Sequence, residues 1–328
     1  MRLWVWRHMR VELPEDWEML QFSRDSRTGR CAWADRYQFR FEIHWRQAES
    51  VPDVDRLASD YLARLKLEKA QRELRPPTEA GPAPETAEDA IRCALGPWQG
   101  VEGRQGGVGQ ASRLPAGRMP APLEGALWTS RFARHFGEAS CLVELILLWP
   151  EGRDESLQRA IVQSVAVEPR RADGLERWRA FGMDLLAAGG LALEACKIDP
   201  GWARMVFSSA SPERRATFER LGMLSEWLEG SVRDWLRRQT VGTVAVEDQS
   251  TRLVNGHSVE TLSGRWRPRW FSGLFGRAAA FSAAAWICPT DGRLYHVSTM
   301  GPAAGGETPL AGGRLVCCEA LCEQEPHE

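Results

Sequence analysis

The chain carries one pattern twice, on either side of a basic break at Glu168-Pro169-Arg170-Arg171. In the first copy Val11-Glu12-Leu13-Pro14 opens a segment with a glycine turn at Thr28-Gly29-Arg30, followed by an alternating stretch from Tyr37 to Trp45 and a helical stretch from Val54 to Leu65. In the second, Asp184-Leu185-Leu186-Ala187 opens the segment, Pro200-Gly201 supplies the turn, and a helix is expected from Leu224 to Leu236. A sequence that repeats its order of elements must bury two similar cores, and 328 residues are enough for two ordinary domains.

Helical spacing places Val54, Leu57, Tyr61, Leu62 and Leu65 on one face, with Asp53 and Asp55 at the amino end where they complement the helix dipole. Leu224, Trp227, Leu228, Val232, Trp235 and Leu236 draw a similar stripe, which ends in Arg237-Arg238 at the favoured carboxyl end. Each copy then returns to strands. Leu127 to Phe132 and Cys141 to Trp149 flank a turn at His135-Phe136-Gly137-Glu138; Phe281 to Cys288 and Arg293 to Ser298 flank Pro289-Thr290-Asp291-Gly292, where Asp-Gly suits a turn needing positive φ. Val101-Glu102-Gly103-Arg104 and Val254-Asn255-Gly256-His257 are expected at equivalent places upstream. The first copy ends in a short helix containing Leu157, Ile161 and Val162 and a closing strand at Ser164-Val165-Ala166-Val167, whereas the second runs through a Gly-rich loop into Leu315-Val316-Cys317-Cys318.

These signals predict an α+β protein of two tandem domains, each a mainly antiparallel sheet packed by one or two helices. The first domain is expected over 1–169, with a Pro-rich insertion at 72–89 that contains Pro76-Pro77, Pro82 and Pro84 and reads as an extended linker. A linker follows at 170–177, then a divergent second domain over 178–328 with a cysteine-containing tail. The arrangement resembles the PsbP-like α/β superfamily, which includes the Ran-binding nucleotide-release factor, DcrB-type lipoproteins and type VI secretion effector chaperones. The residues that carry the resemblance are Leu13-Pro14-Glu15-Asp16-Trp17, Leu145-Ile146-Leu147-Leu148-Trp149-Pro150-Glu151-Gly152 and Ala160-Ile161-Val162-Gln163-Ser164-Val165-Ala166-Val167, which look like that fold's opening strand, last long strand and terminal helix-strand pair. The resemblance implies a binding, assembly or chaperone role and carries no catalytic residue with it.

With 42 basic and 44 acidic residues, the net charge of -2 predicts no global attraction to nucleic acid or acidic membranes. No apolar run reaches the length of a secretory signal or a membrane span, so a cytoplasmic location is expected. The sequence has no GxxxxGK, HExxH, GxSxG or CxxC. Gly106-Gly107-Val108-Gly109 lacks the Lys-Ser/Thr of a phosphate loop and reads as a turn.

Two clusters stand out. Arg265-Trp266-Arg267-Pro268-Arg269-Trp270-Phe271-Ser272-Gly273-Leu274-Phe275-Gly276-Arg277 interleaves cations with large rings. Trp, Phe and Arg are favoured at binding hot spots, so Trp266, Arg267, Arg269, Trp270, Phe271 and Phe275 are the candidate contacts for a protein partner. The same interleaving suits a membrane surface or a nucleic-acid strand, but a short patch on a near-neutral chain favours protein. The second cluster is Cys288 with Cys317, Cys318 and Cys322, which the last hairpin can bring together as thiolate ligands for zinc, with His296 or His327 as an added ligand. Adjacent strand residues point to opposite faces, so Cys317 and Cys318 can share one metal only where the strand is broken. The sequence thus supports a non-catalytic scaffold, adaptor or assembly chaperone without a cofactor; the alternative is a metal-binding or redox protein using the carboxyl-terminal cysteines.

Overall fold

The computed structural model describes residues 1–73, 90–105, 127–209, 214–266, 279–302 and 313–318. The chain divides into two compact units, Met1–Trp4 with Met9–Val167 and Val5–His8 with Glu168–Glu328. Among the described residues the fold is mostly antiparallel β, with 57% in strands, 15% in helices, three sheets and four α-helices. This corrects the expected α+β class. Helical spacing marks helices that exist, but most of the chain between them alternates at period two, and the sheets pack largely through their own inward-facing residues.

The first unit begins with β1 (Arg2–Trp6), whose Val5 and Trp6 belong to the second unit, and β2 (Met9–Leu13). Then follow β3 (Glu18–Phe22), β4 (Thr28–Ala34), β5 (Phe39–Gln47), α1 (Val54–Glu73), β6 (Ile91–Leu95), β7 (Trp98–Gln105), β8 (Leu127–Phe136), β9 (Cys141–Trp149), α2 (Glu155–Ser164) and β10 (Ala166–Val167). Seven of the strands form one sheet in the order β3-β4-β5-β9-β8-β7-β6. Beside it, β10 closes against β2, with Ala166 opposite Arg10 and Val167 opposite Met9. Gly29 lies inside β4 rather than in a turn, where Ser23 and Trp45 crowd its α-carbon and leave no room for a side chain. α1 runs past Leu65 to Glu73, and it packs over β6, β7 and β8. Residues 74–89, which hold most of the expected Pro-rich insertion, lie outside the described residues, as does Gly106–Gly109.

The second unit continues with β11 (Leu175–Ala180), β12 (Met183–Ala188), β13 (Ala192–Asp199), β14 (Trp202–Ser208), β15 (Arg215–Leu221), α3 (Leu224–Trp227), α4 (Val232–Thr240), β16 (Val244–Val254), β17 (His257–Trp266), β18 (Ala279–Ile287), β19 (Leu294–Pro302) and β20 (Gly313–Val316). Its seven-stranded sheet runs β13-β14-β15-β19-β18-β17-β16, the same order as in the first unit, and β20 pairs with β12 as β10 pairs with β2. The helix expected from Leu224 to Leu236 is two helices. Gly230 takes φ of 78°, and Ser231 starts α4 afresh with a capping box, its hydroxyl accepting from the Asp234 amide while the Asp234 carboxylate accepts from Ser231. Trp235 and Leu236 then bury against Leu262, Ala283, Ala285 and Leu294.

Register makes the correspondence between the sheets specific. In the first, Val101, Arg131, Ile146, Glu42 and Ala32 lie side by side across five strands. In the second, the matching rung is Glu260, Ala285, His296, Glu219 and Arg204. Each rung keeps a glutamate under the helix-covered face, Glu42 on β5 and Glu219 on β15, with its counter-charge drawn from different strands. Glu42 bonds His44 at 2.8 Å and faces Arg30 at 3.9 Å; Glu219 bonds His296 at 2.7 Å and faces Arg204 at 3.6 Å. Tyr61 of α1 covers Arg131, and Trp235 of α4 meets His296 edge-on at 5.3 Å between ring centres. The turn Val254-Asn255-Gly256-His257 matches Leu95-Gly96-Pro97-Trp98 rather than Val101 to Arg104, because Val254 pairs with His257 as Leu95 pairs with Trp98.

Candidate metal centre

Four side chains from three separate hairpin or strand ends meet in the second unit. His257, Cys288, Cys317 and Cys318 each offer one ligand atom, and all four atoms lie within 4.8 Å of one another. His257 opens β17 straight after the Asn255-Gly256 turn, where both residues take positive φ, 45° and 77°. Such a two-residue turn fixes the register and so places the ring at the sheet end. Cys288 follows β18 in the Pro289-Thr290-Asp291-Gly292 turn, which is closed by the Gly292 amide donating to the Cys288 carbonyl and the Cys288 amide donating to the Arg293 carbonyl, both at 2.9 Å. β20 ends at Val316, and Cys317 and Cys318 lie beyond it, with Cys318 in a bend. The strand is therefore interrupted where two adjacent cysteines need it to be.

The distances fit a metal tetrahedron. Zinc–sulfur arms of about 2.3 Å imply sulfur–sulfur edges of about 3.8 Å, and with zinc–nitrogen arms of about 2.05 Å, sulfur–nitrogen edges of about 3.6 Å. Here the Cys317 and Cys318 Sγ atoms are 3.8 Å apart, and they stand 3.4 Å and 3.5 Å from His257 Nε2. Cys288 Sγ lies within 4.8 Å of all three.

Surrounding groups orient the ligands. The other ring nitrogen of His257, Nδ1, is 2.9 Å from the Asn255 carbonyl, which accepts its proton and so leaves Nε2 bare toward the sulfurs. Trp286 Nε1 donates to Cys317 Sγ at 3.2 Å, and its ring stacks on Tyr295. Tyr295 in turn donates to Asp291 at 2.7 Å, and the same carboxylate accepts from the Arg293 amide, which braces the cysteine turn. Burial opposes ionisation of Cys288, but its contact with His257 and the amides of Asp291 and Thr290 outweighs burial and brings the thiol down to about 7. For His257 burial opposes the cation, and contact with Cys288 and the Asn255 carbonyl reverses this to raise its pKa. Burial pushes the Cys317 thiol up, with the neighbouring Cys288 adding to the effect although the Trp286 N–H opposes it.

Among the described residues, the first unit has no such group at the matching place. Trp98 stands three residues before Val101 as His257 stands before Glu260, and Arg134 three residues after Arg131 as Cys288 after Ala285. There Trp98 is buried and meets Phe136 edge-on at 5.8 Å, with the Arg134 guanidinium over both rings. An aromatic-cation stack fills the sheet end in one unit, and an imidazole with thiols in the other. The chain matches no protein-family model and no curated protein.

Of the cysteines expected to converge, Cys288, Cys317 and Cys318 do so, whereas Cys322 lies outside the described residues. His296 is not the imidazole of the group; it is buried against Glu219, and His327 lies outside the described residues. His257 supplies the ring instead. Its only sequence signal is its place one residue past an Asn-Gly turn, which shows that the side chain sits at a strand start but not which strand ends surround it. Trp266 ends β17 half-buried opposite Val244, and Arg267, Arg269, Trp270, Phe271 and Phe275 lie outside the described residues. Trp4 and Trp6 are buried, Trp4 against Trp33 in the first unit and Trp6 against Trp178 and Phe181 in the second. No helix among the described residues is long and apolar enough to cross a membrane.

Proposed function

We propose that this is a non-catalytic metal-binding protein that holds one zinc ion on His257, Cys288, Cys317 and Cys318. The observation that carries the proposal is the set of edges between Cys317, Cys318 and His257, which match a tetrahedral zinc site in three independent distances. A borderline-soft ion with no geometric preference of its own suits three thiolates and one imidazole. Four protein ligands fill the coordination sphere and leave no position for water or substrate. That favours a structural ion over a catalytic one, and it favours the adaptor or assembly role over a redox enzyme. The N–H donors around the sulfurs, Trp286 and the amides of the Cys288 turn, spread negative charge that three thiolates concentrate.

The test is metal content. Full-length protein purified without chelator and with any tag removed is expected to carry about one zinc per chain, and His257→Ala and Cys288→Ser each to fall well below that. A wild-type protein that holds less than about half an equivalent, and takes up none on titration with zinc, overturns the proposal.

A further inference from the structure

The closing strands of the two units are secured differently. In the first unit β10 has two residues, yet it continues almost directly from α2, whose Ile161 and Val162 are fully buried. Gln158 of the same helix donates to Glu102 at 2.5 Å and accepts from Ser130 at 2.7 Å, while Arg153 just before the helix pairs with Glu102. A well-anchored helix therefore delivers the strand to β2. In the second unit β20 takes the same topological place on β12, with Gly313 opposite Ala187 and Val316 opposite Asp184. Of its four residues only Gly313 and Leu315 are buried, and glycine brings no side chain. One buried leucine does little to offset the entropy of ordering a strand and the residues beyond it. Cys317 and Cys318 follow Val316 at once, so whatever holds the two sulfurs also holds the end of β20.

Resting on the zinc reading above, we infer that the metal is the clasp that docks β20 on β12, so that metal occupancy decides whether the outer edge of β12 is paired or bare. With the ion bound, two successive residues after the strand are tied to the start of β17 and to the turn after β18. Without it, the ladder to β12, the buried Leu315 and the Trp286–Cys317 hydrogen bond are left to hold so short a strand, and it peels away. The edge then uncovered, Asp184 to Ala187, carries unpaired N–H and C=O groups beside Leu185, the kind of edge on which another strand adds. The device is a metal-gated sheet edge.

Gly313 allows the coupling to be tested without touching a ligand. A Cβ there would lie 2.5 Å from Phe218 Cζ and 3.1 Å from the Leu186 carbonyl. Phe218 is fully buried and meets Phe207 edge-on at 5.7 Å, so it cannot swing aside freely. Gly313→Val therefore forces β20 off β12, and coupling is reciprocal: undocking the strand weakens the metal by the factor by which the metal favours docking.

The experiment compares full-length protein with zinc and after chelator by hydrogen exchange, alongside zinc competition titrations of wild type, Gly313→Val and the milder Gly313→Ala. The amides of Asp184 to Ala187 that face β20, and those of Arg314 to Val316 that face β12, are expected to lose protection by about tenfold or more on zinc removal, while those of β12 that face β11 and those of β14 and β15 keep theirs. Gly313→Val is expected to bind zinc about tenfold more weakly or worse with all four ligands intact, and Gly313→Ala in the same direction, which serves where the valine variant does not fold. Stoichiometric zinc with unchanged protection at β12 and β20 overturns this inference and leaves the zinc site standing. A wild-type protein that binds no zinc overturns both.

Discussion

Cys288→Ser removes one ligand with little change of volume at a fully buried position, so it separates the worth of the ion from the worth of packing. The sheet of the second unit keeps a core without the site, since Leu262, Ala283, Ala285 and Leu294 are buried with Trp235 and Leu236 of α4. On the zinc reading, the ion stabilises a unit that can fold without it, and its contribution follows from linkage. At free zinc about a thousandfold above the dissociation constant this is about 4 kcal/mol. A unit of this size shifts its midpoint by about 2–4 °C per kcal/mol, so loss of the ion lowers the midpoint by about 8–16 °C. Scanning calorimetry of wild type and Cys288→Ser, each with excess zinc and with chelator, reads this directly. Wild type with chelator and the variant under both conditions are expected to converge, and wild type with zinc to stand alone above them. A variant that matches zinc-loaded wild type, or a wild-type midpoint indifferent to chelator, refutes the reasoning.

Two further expectations concern the rest of the second unit. Burial disfavours the Glu219 carboxylate, but its hydrogen bond with His296, the charge of His296 and Arg204 outweigh that and hold its pKa below the usual carboxylate value. A carboxyl depressed in the folded state stabilises above its unfolded pKa of about 4.3 and loses that contribution as pH falls through the folded value, so Glu219→Gln should flatten the acid limb of stability below about pH 4.5 in urea unfolding; acid limbs that run parallel would count against the pair. Leu236→Ala, at a fully buried position of α4, is expected to cost about 2–5 kcal/mol in the same assay, whereas Leu253→Ala on the exposed edge strand β16 should stay within about 0.5 kcal/mol, and equal costs would contradict the placement of the core.

Cys141 to Trp149 reads as a strand and is one, residue for residue, because a long buried strand of β-branched and aliphatic residues bounded by Pro150 has no competing pattern. Ile161 and Val162 lie where a short amphipathic helix needs them, and Asp154 starts that helix by accepting from the Leu157 amide at 2.9 Å. The stripe from Leu224 to Leu236 misled, since apolar spacing carried across Gly230 while the backbone did not. The expected class failed for a related reason: local periodicity identifies elements one at a time, and it does not weigh four helices against sheets of seven strands.

The site divides along the same line. That Cys288, Cys317 and Cys318 could meet, and that Cys317 and Cys318 could serve one ion only past a strand end, followed from residue type and from the alternation of side chains along a strand. The Asn255-Gly256 turn and the Asp291-Gly292 turn were likewise fixed locally, by the few residues that tolerate positive φ. What only tertiary structure decided is that the start of β17, the turn after β18 and the end of β20 lie together, so that His257 and not His296 stands with the three cysteines. Strand neighbours far apart in sequence are chosen by which faces can be buried together, and that choice is made by the whole sheet rather than by any segment of it.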